Sequence, residues 1–403
     1  MTRRRELRLL VAAFGDAGHA FPAIALARAL RERGHRVVLE TWERWRAQVE
    51  GEGLEFAAAQ EYRAFAGGTK RDEDLPSIAA AARSLIPLLD ELRPDLVVAD
   101  ILTTAPPLAA ELRRVRWATL IPHVYPVHAD GLPFYGFGAR PPRSAVGRIA
   151  WQAAMPLLEA GLRRGRAELN ETRHELGLAP VGGPHAGISR DMALVATFPQ
   201  LEYPRRWAAH VHVTGPLVYE VPYPDVELPP GPEPLVVVAP STAKDRCAEL
   251  VRCSLDALAG EPIRVLAATN RAVPASSVDA PPNARVVDWV SYSQVMPQAA
   301  LVICHGGHGT VVRALAAGAP VLSCGSAGDM AENGMRVAWA GAGLAIPRRL
   351  ARQAGIRWAA LRVLADQRFA ARARQIAAWA AANDGAARAA ELVVGAARDQ
   401  ASP

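Results

Sequence analysis

The feature that most constrains this chain is a repeated alternation of short apolar runs with amphipathic segments, interrupted once by a proline-rich stretch. Residues 7–14 are an apolar run closed by Gly15, and residues 20–33 carry helical spacing through Ile24, Leu26, Ala27 and Leu30 before Gly34. Short apolar runs bounded by turn formers read as buried strands, and a 3.6-residue spacing reads as a helix. The same grammar predicts strands over 36–41, 54–58, 96–99 and 117–121, with helices over 43–50, 76–92 and 105–112. After an aromatic loop over 122–143, residues 145–176 read as a pair of helices, and strands near 192–197 and 211–214 close the first half. The second half repeats the pattern: strands at 235–239, 263–267, 285–287, 301–304 and 320–324, helices ending at Ala259 and over 311–317, and a helical Ala- and Arg-rich tail over 356–394.

Parallel strands need a crossover long enough to hold a helix, so strand–helix alternation implies parallel sheets. At 403 residues the chain exceeds what one core accommodates. The expected fold is α/β, with two Rossmann-like, doubly wound parallel-sheet domains facing each other across a cleft. Residues 1–215 form the first domain, 216–234 a linker marked by its prolines, 235–375 the second domain, and 376–403 a C-terminal helix packing across both.

The net charge of +6 comes from scattered Arg with no long basic block, which argues against a nucleic-acid partner and suits a small anionic ligand. Cys247, Cys253, Cys304 and Cys324 form no C-x-x-C pair and read as reduced core thiols, the pattern expected of a cytoplasmic protein. The first apolar run is broken by Gly15 and Asp16 before it reaches secretory length, and no stretch has the ~20 apolar residues of a transmembrane segment.

Three constellations carry chemistry. His305-Gly306-Gly307-His308-Gly309-Thr310 lies between an expected strand and an expected helix. Glycines there let backbone N–H groups approach an anion, and the helix dipole favours negative charge, although the same turn also serves where glycine only relieves packing. His19, after the first strand, suits a general base near neutral pH, or else caps the core edge. Asp100 ends a strand on the edge where open α/β sheets bind ligands, or else caps the next helix.

Residues 286–347, with Trp289, HGGHGT and Asp329-Met330, resemble the donor-binding signature of family 1 glycosyltransferases of the GT-B fold, which decorate macrolides, polyketides and plant phenols. Gly18-His19-Ala20-Phe21-Pro22 resembles that family's G-H-x-x-P motif and is also similar to the lipid-linked N-acetylglucosaminyltransferase of peptidoglycan synthesis; HGGHGT favours family 1. The resemblance implies that the first domain binds the acceptor and the second the nucleotide sugar. It implies His19 as the catalytic base and Asp100 as its partner, a base site at Trp289 and Val290, and a phosphate site at His305, Gly306, Gly307, Gly309 and Thr310. Asp329-Met330 stands where the family has Asp-Gln reading sugar hydroxyls; the missing glutamine suits a deoxygenated sugar. His308 is an uncommon residue at its position.

Ser241 and Thr242 are candidate phosphate contacts, and His123, Tyr125, Phe134 and Tyr135 a candidate acceptor wall. Asp72-Glu73-Asp74 imitates a D-x-D metal motif but reads as a solvated turn, so no catalytic metal and no cofactor are expected beyond the nucleotide sugar as co-substrate. The expected activity is inverting transfer from a UDP- or dTDP-sugar to a hydroxyl of a small lipophilic natural product. A non-catalytic auxiliary homologue, or a nucleotide-sugar epimerase of the same fold, remain the alternatives, and a homodimer stays open.

Overall fold

A computed structural model describes residues 5–62, 75–241 and 248–399; Asp72, Glu73, Asp74, Thr242 and Cys247 lie outside the described residues. Seven strands, β1 (Arg8–Ala12), β2 (Arg36–Thr41), β3 (Glu55–Ala58), β4 (Leu96–Asp100), β5 (Trp117–Ile121), β6 (Ala193–Val195) and β7 (Val211–Val213), form the first sheet. Their order is β3-β2-β1-β4-β5-β6-β7. The second sheet holds β8 (Leu235–Ala239), β9 (Arg264–Ala268), β10 (Ala284–Val287), β11 (Ala299–Cys304), β12 (Val321–Ser323) and β13 (Gly343–Ala345). Its order is β10-β9-β8-β11-β12-β13. Every strand pairing in both sheets is parallel. Strand order therefore reverses between β1 and β4 in one sheet and between β8 and β11 in the other, the two places where loops diverge and leave a crevice.

Helix Ala17–Glu32 buries Ala20, Ile24, Leu26 and Leu30 on the first sheet. Helix Gly385–Arg398, from the far end of the chain, completes that core with Ala389, Ala390, Val393 and Val394. The preceding helix, Gln367–Ala382, instead packs Ala373 and Ile376 into the second domain. Asp384 caps the final helix through the Ala387 N–H at 3.0 Å, so the chain breaks there and crosses over. The stretch between β7 and β8 is anchored on both sides: Leu217 and Tyr219 enter the first core, while Val226 and Leu228 lie against the second.

Val124, Phe198 and Leu201 of the first domain join the core of the second. Beside them the buried Arg336 guanidinium meets Glu332 at 2.8 Å and Glu202 at 3.3 Å, and lies 3.6 Å over the Tyr203 ring. Among the described residues no helix is long and apolar enough to cross a membrane.

Several elements differ from the sequence reading. The segment expected as one helix over 76–92 is two, Ile78–Ser84 and Ile86–Leu92, because Pro87 has no N–H to continue the ladder. The first helix starts at Ala17, earlier than expected, since the Asp16 carbonyl accepts the His19 and Ala20 N–H groups at 2.9 and 2.8 Å. Helix Asp329–Ala340 and strand β13 were not anticipated.

Because Val393 is fully buried, Val393→Asp should destabilise the protein by about 3 kcal/mol or more, read as a lower denaturant midpoint. The same change at the exposed Val146 should shift stability by less than about 0.5 kcal/mol.

Candidate active site

The two crevices face one another and enclose a cleft of about 430 Å³. On the first-domain side, His19 stands in the first turn after β1 and Asp100 ends β4, the two strands flanking the reversal point. His19 Nδ1 is 2.8 Å from Asp100 Oδ2. An ionised carboxylate only accepts, so Nδ1–H donates and Nε2 keeps its lone pair for the cleft. Asp100 is itself held by the Leu102 N–H at 2.9 Å on its other oxygen. Burial pulls the His19 pKa down, but the charge and hydrogen bond of Asp100, with smaller help from Asp16 and Asp329, more than offset it and leave the group above its ordinary 6.5.

On the second-domain side, β11 runs into His305 and helix His308–Ala316, whose first N–H groups open on the cleft with Gly307, Gly309 and Thr310. The turn depends on glycine. Gly306 has φ of +87°, and a Cβ there would lie 2.5 Å from the Met330 carbonyl. A Cβ on Gly307 would lie 2.3 Å from the His305 ring. The Gly306 carbonyl accepts from Asn333 Nδ2 at 3.0 Å, which ties the turn to helix Asp329–Ala340. That helix presents Asp329 and Met330 to the same cleft. Two helix N-termini therefore converge where an anion would sit.

Two further histidines face His19 and behave differently. His123 lies edge-on to His19 at 6.4 Å between ring centroids and donates from Nδ1 to the Val124 carbonyl at 2.7 Å. Burial, with the nearby His19 charge, lowers its pKa. His308 is pushed down to about 3, by burial first and then by His123 and His19. Of His19, His123 and His308, it is His19, with its carboxylate partner, that is set to carry a proton near neutrality.

The cleft gathers His19, His123, Ser241, Trp289, Val290, His305, Gly307, Gly309, Thr310, Asp329 and Met330. Gly306 lies behind the turn, and Thr242 is outside the described residues. The expected acceptor wall separates. Tyr135 stacks on His123 at 5.5 Å without lining the cleft, and Tyr125 and Tyr135 line a small cavity of about 10 Å³. Phe134 does not line the cleft but packs edge-on to His128, Phe137 and Trp151. The loop's aromatics pair with one another because that removes more apolar surface from water than facing an open groove.

Sequence reasoning missed Phe21, Arg44 and Trp45 on the first-domain wall. Arg44 stacks over Trp42 and Trp45 at 4.8 and 5.2 Å, and Trp45 Nε1 donates to the Gly15 carbonyl at 2.8 Å. Their signal was position: they follow β2 at the sheet's carboxyl edge. Arg271 was also missed; its guanidinium lies 5.3 Å over Trp289.

An apposed pair of doubly wound domains with a His–Asp dyad on one wall and an anion cradle on the other is the GT-B glycosyltransferase arrangement. Residues 9–116 match the glycosyltransferase family 28 N-terminal domain, and residues 253–394 match the erythromycin biosynthesis protein CIII-like C-terminal domain. The chain is 27% identical to 4'-demethylrebeccamycin synthase of Lentzea aerocolonigenes over 96% of its length and 99% of the relative's. It is 28% identical to O-mycaminosyltylonolide 6-deoxyallosyltransferase of Streptomyces fradiae, covering 78% and 79%. In fold it matches the glycosyltransferase VinC in complex with dTDP at a TM-score of 0.71 and 21% identity, covering 98% and 100%. The chain is a sugar-transferring enzyme of the GT-B fold that carries glycosyltransferase domains in both halves and is similar to natural-product glycosyltransferases of family 1.

Histidine ring NMR tests the electrostatics without substrate. His19 should titrate above 6.5 in the wild type and at lower pH in Asp100→Asn, where only the smaller Asp16 and Asp329 charges oppose burial, while His308 should not titrate between about pH 5 and 9.

Proposed function

We propose that the protein transfers a sugar, with inversion, from a dTDP- or UDP-sugar to a hydroxyl of a flat or macrocyclic lipophilic natural product. The observation that carries this reading is the His19–Asp100 pair, 2.8 Å apart, on the wall opposite the N-terminus of helix His308–Ala316. His19 Nε2 takes the proton of the acceptor hydroxyl as its oxygen attacks the anomeric carbon. The bond from that carbon to the diphosphate oxygen breaks on the opposite face, and the nucleoside diphosphate leaves. Asp100 stabilises the imidazolium that forms. The charge gathering on the departing diphosphate is met by the backbone N–H groups of Gly309 and Thr310 and by His305, with the nucleotide sugar as co-substrate and no cofactor.

The Trp289 face offers a stacking surface for the base, braced by Arg271. The dTDP complex of VinC supports the thymine form of the donor. Met330 at the sugar end is apolar and 8% exposed, with Ser326 Oγ 3.5 Å from its sulfur. A hydroxyl placed against it would lose its water without gaining a partner, which favours a donor deoxygenated at that position. The 6-deoxyallosyl donor named for one relative agrees with this. Phe21, Trp45 and Arg44 provide an apolar wall with one cation for the acceptor.

A mass-spectrometric assay pairing dTDP- and UDP-sugars with phenolic, indole and macrolide acceptors tests the reading. A product of acceptor plus sugar mass is expected, with kcat lowered about 10²–10⁴-fold in His19→Ala and Met330→Gln shifting preference toward fully hydroxylated donors. Nucleotide binding without product from any pair, and no effect of His19→Ala, would point to an auxiliary protein instead.

A further inference from the structure

His308 is not explained by phosphate binding. Backbone N–H groups do that work in this turn, and an imidazole is larger than the space between glycines requires. Its ring turns away from the second domain: Nε2 is 2.9 Å from Thr197 Oγ1, in the fully buried residue two positions past β6. Its second partner is the backbone of Pro122, the residue directly after β5. A carbonyl only accepts, so the ring's N–H goes to Pro122 and Nε2 accepts the Thr197 hydroxyl. One neutral side chain in the first turn of the phosphate-binding helix thus grips the ends of two first-domain strands.

What it grips matters. Pro122 precedes His123, whose ring meets His19 edge-on at 6.4 Å. A rigid path therefore runs from the helix that faces the diphosphate, through His308 and the Pro122–His123 backbone, to the base. A polar grip inside an apolar junction is directional, unlike the packing of Val124, Phe198 and Leu201 around it, which tolerates sliding. Protonation would remove the acceptor at Nε2 and break the grip; burial holds the ring neutral far below any working pH, so it persists.

We propose that His308 is a positioning residue that clasps the two domains at reactive spacing, holding the diphosphate-binding helix in register with His19 through Thr197 and Pro122. This rests on the transfer reading above, because spacing between the walls matters only if both act on one reaction.

The test compares full-length wild type with His308→Ala, Thr197→Val, the double variant and His308→Gln. Three quantities are read: kcat and KM for transfer, dTDP affinity by calorimetry, and amide exchange over residues 120–124 and 193–199. His308→Ala should lower kcat about tenfold or more while dTDP affinity stays within about twofold. The double variant should be no slower than His308→Ala alone, and His308→Gln should recover part of the loss. An unchanged kcat, losses that multiply, or lost dTDP affinity at unchanged kcat would overturn the proposal, the last by making His308 a phosphate ligand. If the wild type gives no product, the transfer reading fails on its own. The clasp is then judged by exchange: about tenfold faster exchange in both segments in His308→Ala and Thr197→Val supports it, and unchanged exchange refutes it.

Discussion

The site exists because two parallel sheets present their carboxyl edges to one another, and a buried cation helps to fasten that apposition. Arg336, on the helix that begins at Asp329, is shared between Glu332 of its own helix and Glu202 of the first domain. Burial raises the Glu202 pKa, with Arg336 pulling the other way, so the pair is costly unless both partners stay in place. An apolar junction of equal area would hold as well but would permit several settings. A charge that must find its partners permits one. The Glu332 carboxylate also receives the N–H groups of Gly136 and Gly138 at 3.3 Å, so the loop after β5 is tied to the same helix. The helix that begins at Asp329, the loop after β5 and the domain setting thus share one set of hydrogen bonds.

Within that frame the histidines illustrate how position decides chemistry. Of the imidazoles that line the cleft, those of His19, His123 and His308 each have their proton affinity lowered by burial. Only His19 has a carboxylate to restore it. Had His123 or His308 carried charge as well, repulsion would have lowered His19 further and weakened it as a base. Neutrality matters most for His308, whose Nε2 must stay unprotonated to accept the Thr197 hydroxyl, while the bonds donated to Val124 and Pro122 need no neutral ring.

Much of this was legible in the sequence, for reasons that particular residues make plain. Asp100 was found because strand β4 is an unbroken apolar run that a carboxylate ends abruptly. HGGHGT stood out because its glycines lie between a strand and a helix and its neighbours over 286–347 complete a resemblance that the turn alone does not carry. Helix Asp329–Ala340 escaped notice because its inner face carries Glu332, Asn333 and Arg336, buried polar residues that erase the apolar period. Of the expected acceptor wall, His123 lines the cleft while Tyr125, Phe134 and Tyr135 lie outside it. Aromatic residues announce that they will be buried without saying against what, and Phe134 found Trp151 rather than the cleft. A periodicity reads one element at a time, whereas both misses concern partners far along the chain.

The two walls also differ in the kind of structure that builds them, and this bears on how such an enzyme acquires new substrates. The second-domain wall rests on backbone, with strand ends, helix first turns and a glycine at φ of +87° that no larger residue replaces without strain, and adds the side chains of Trp289, Asp329 and Met330. Substitution has little room at the turn and more at those side chains. The first-domain wall is made of side chains on a helix and on the turn after β2, Phe21, Trp45 and Arg44 among them, supported by strands but free to change size and charge. A fold divided this way can hold its glycine turn fixed while the opposite wall varies. The elements joining the walls, Arg336 and His308, then become the points where drift must stop, because a change there alters the distance between them rather than the ligand they hold.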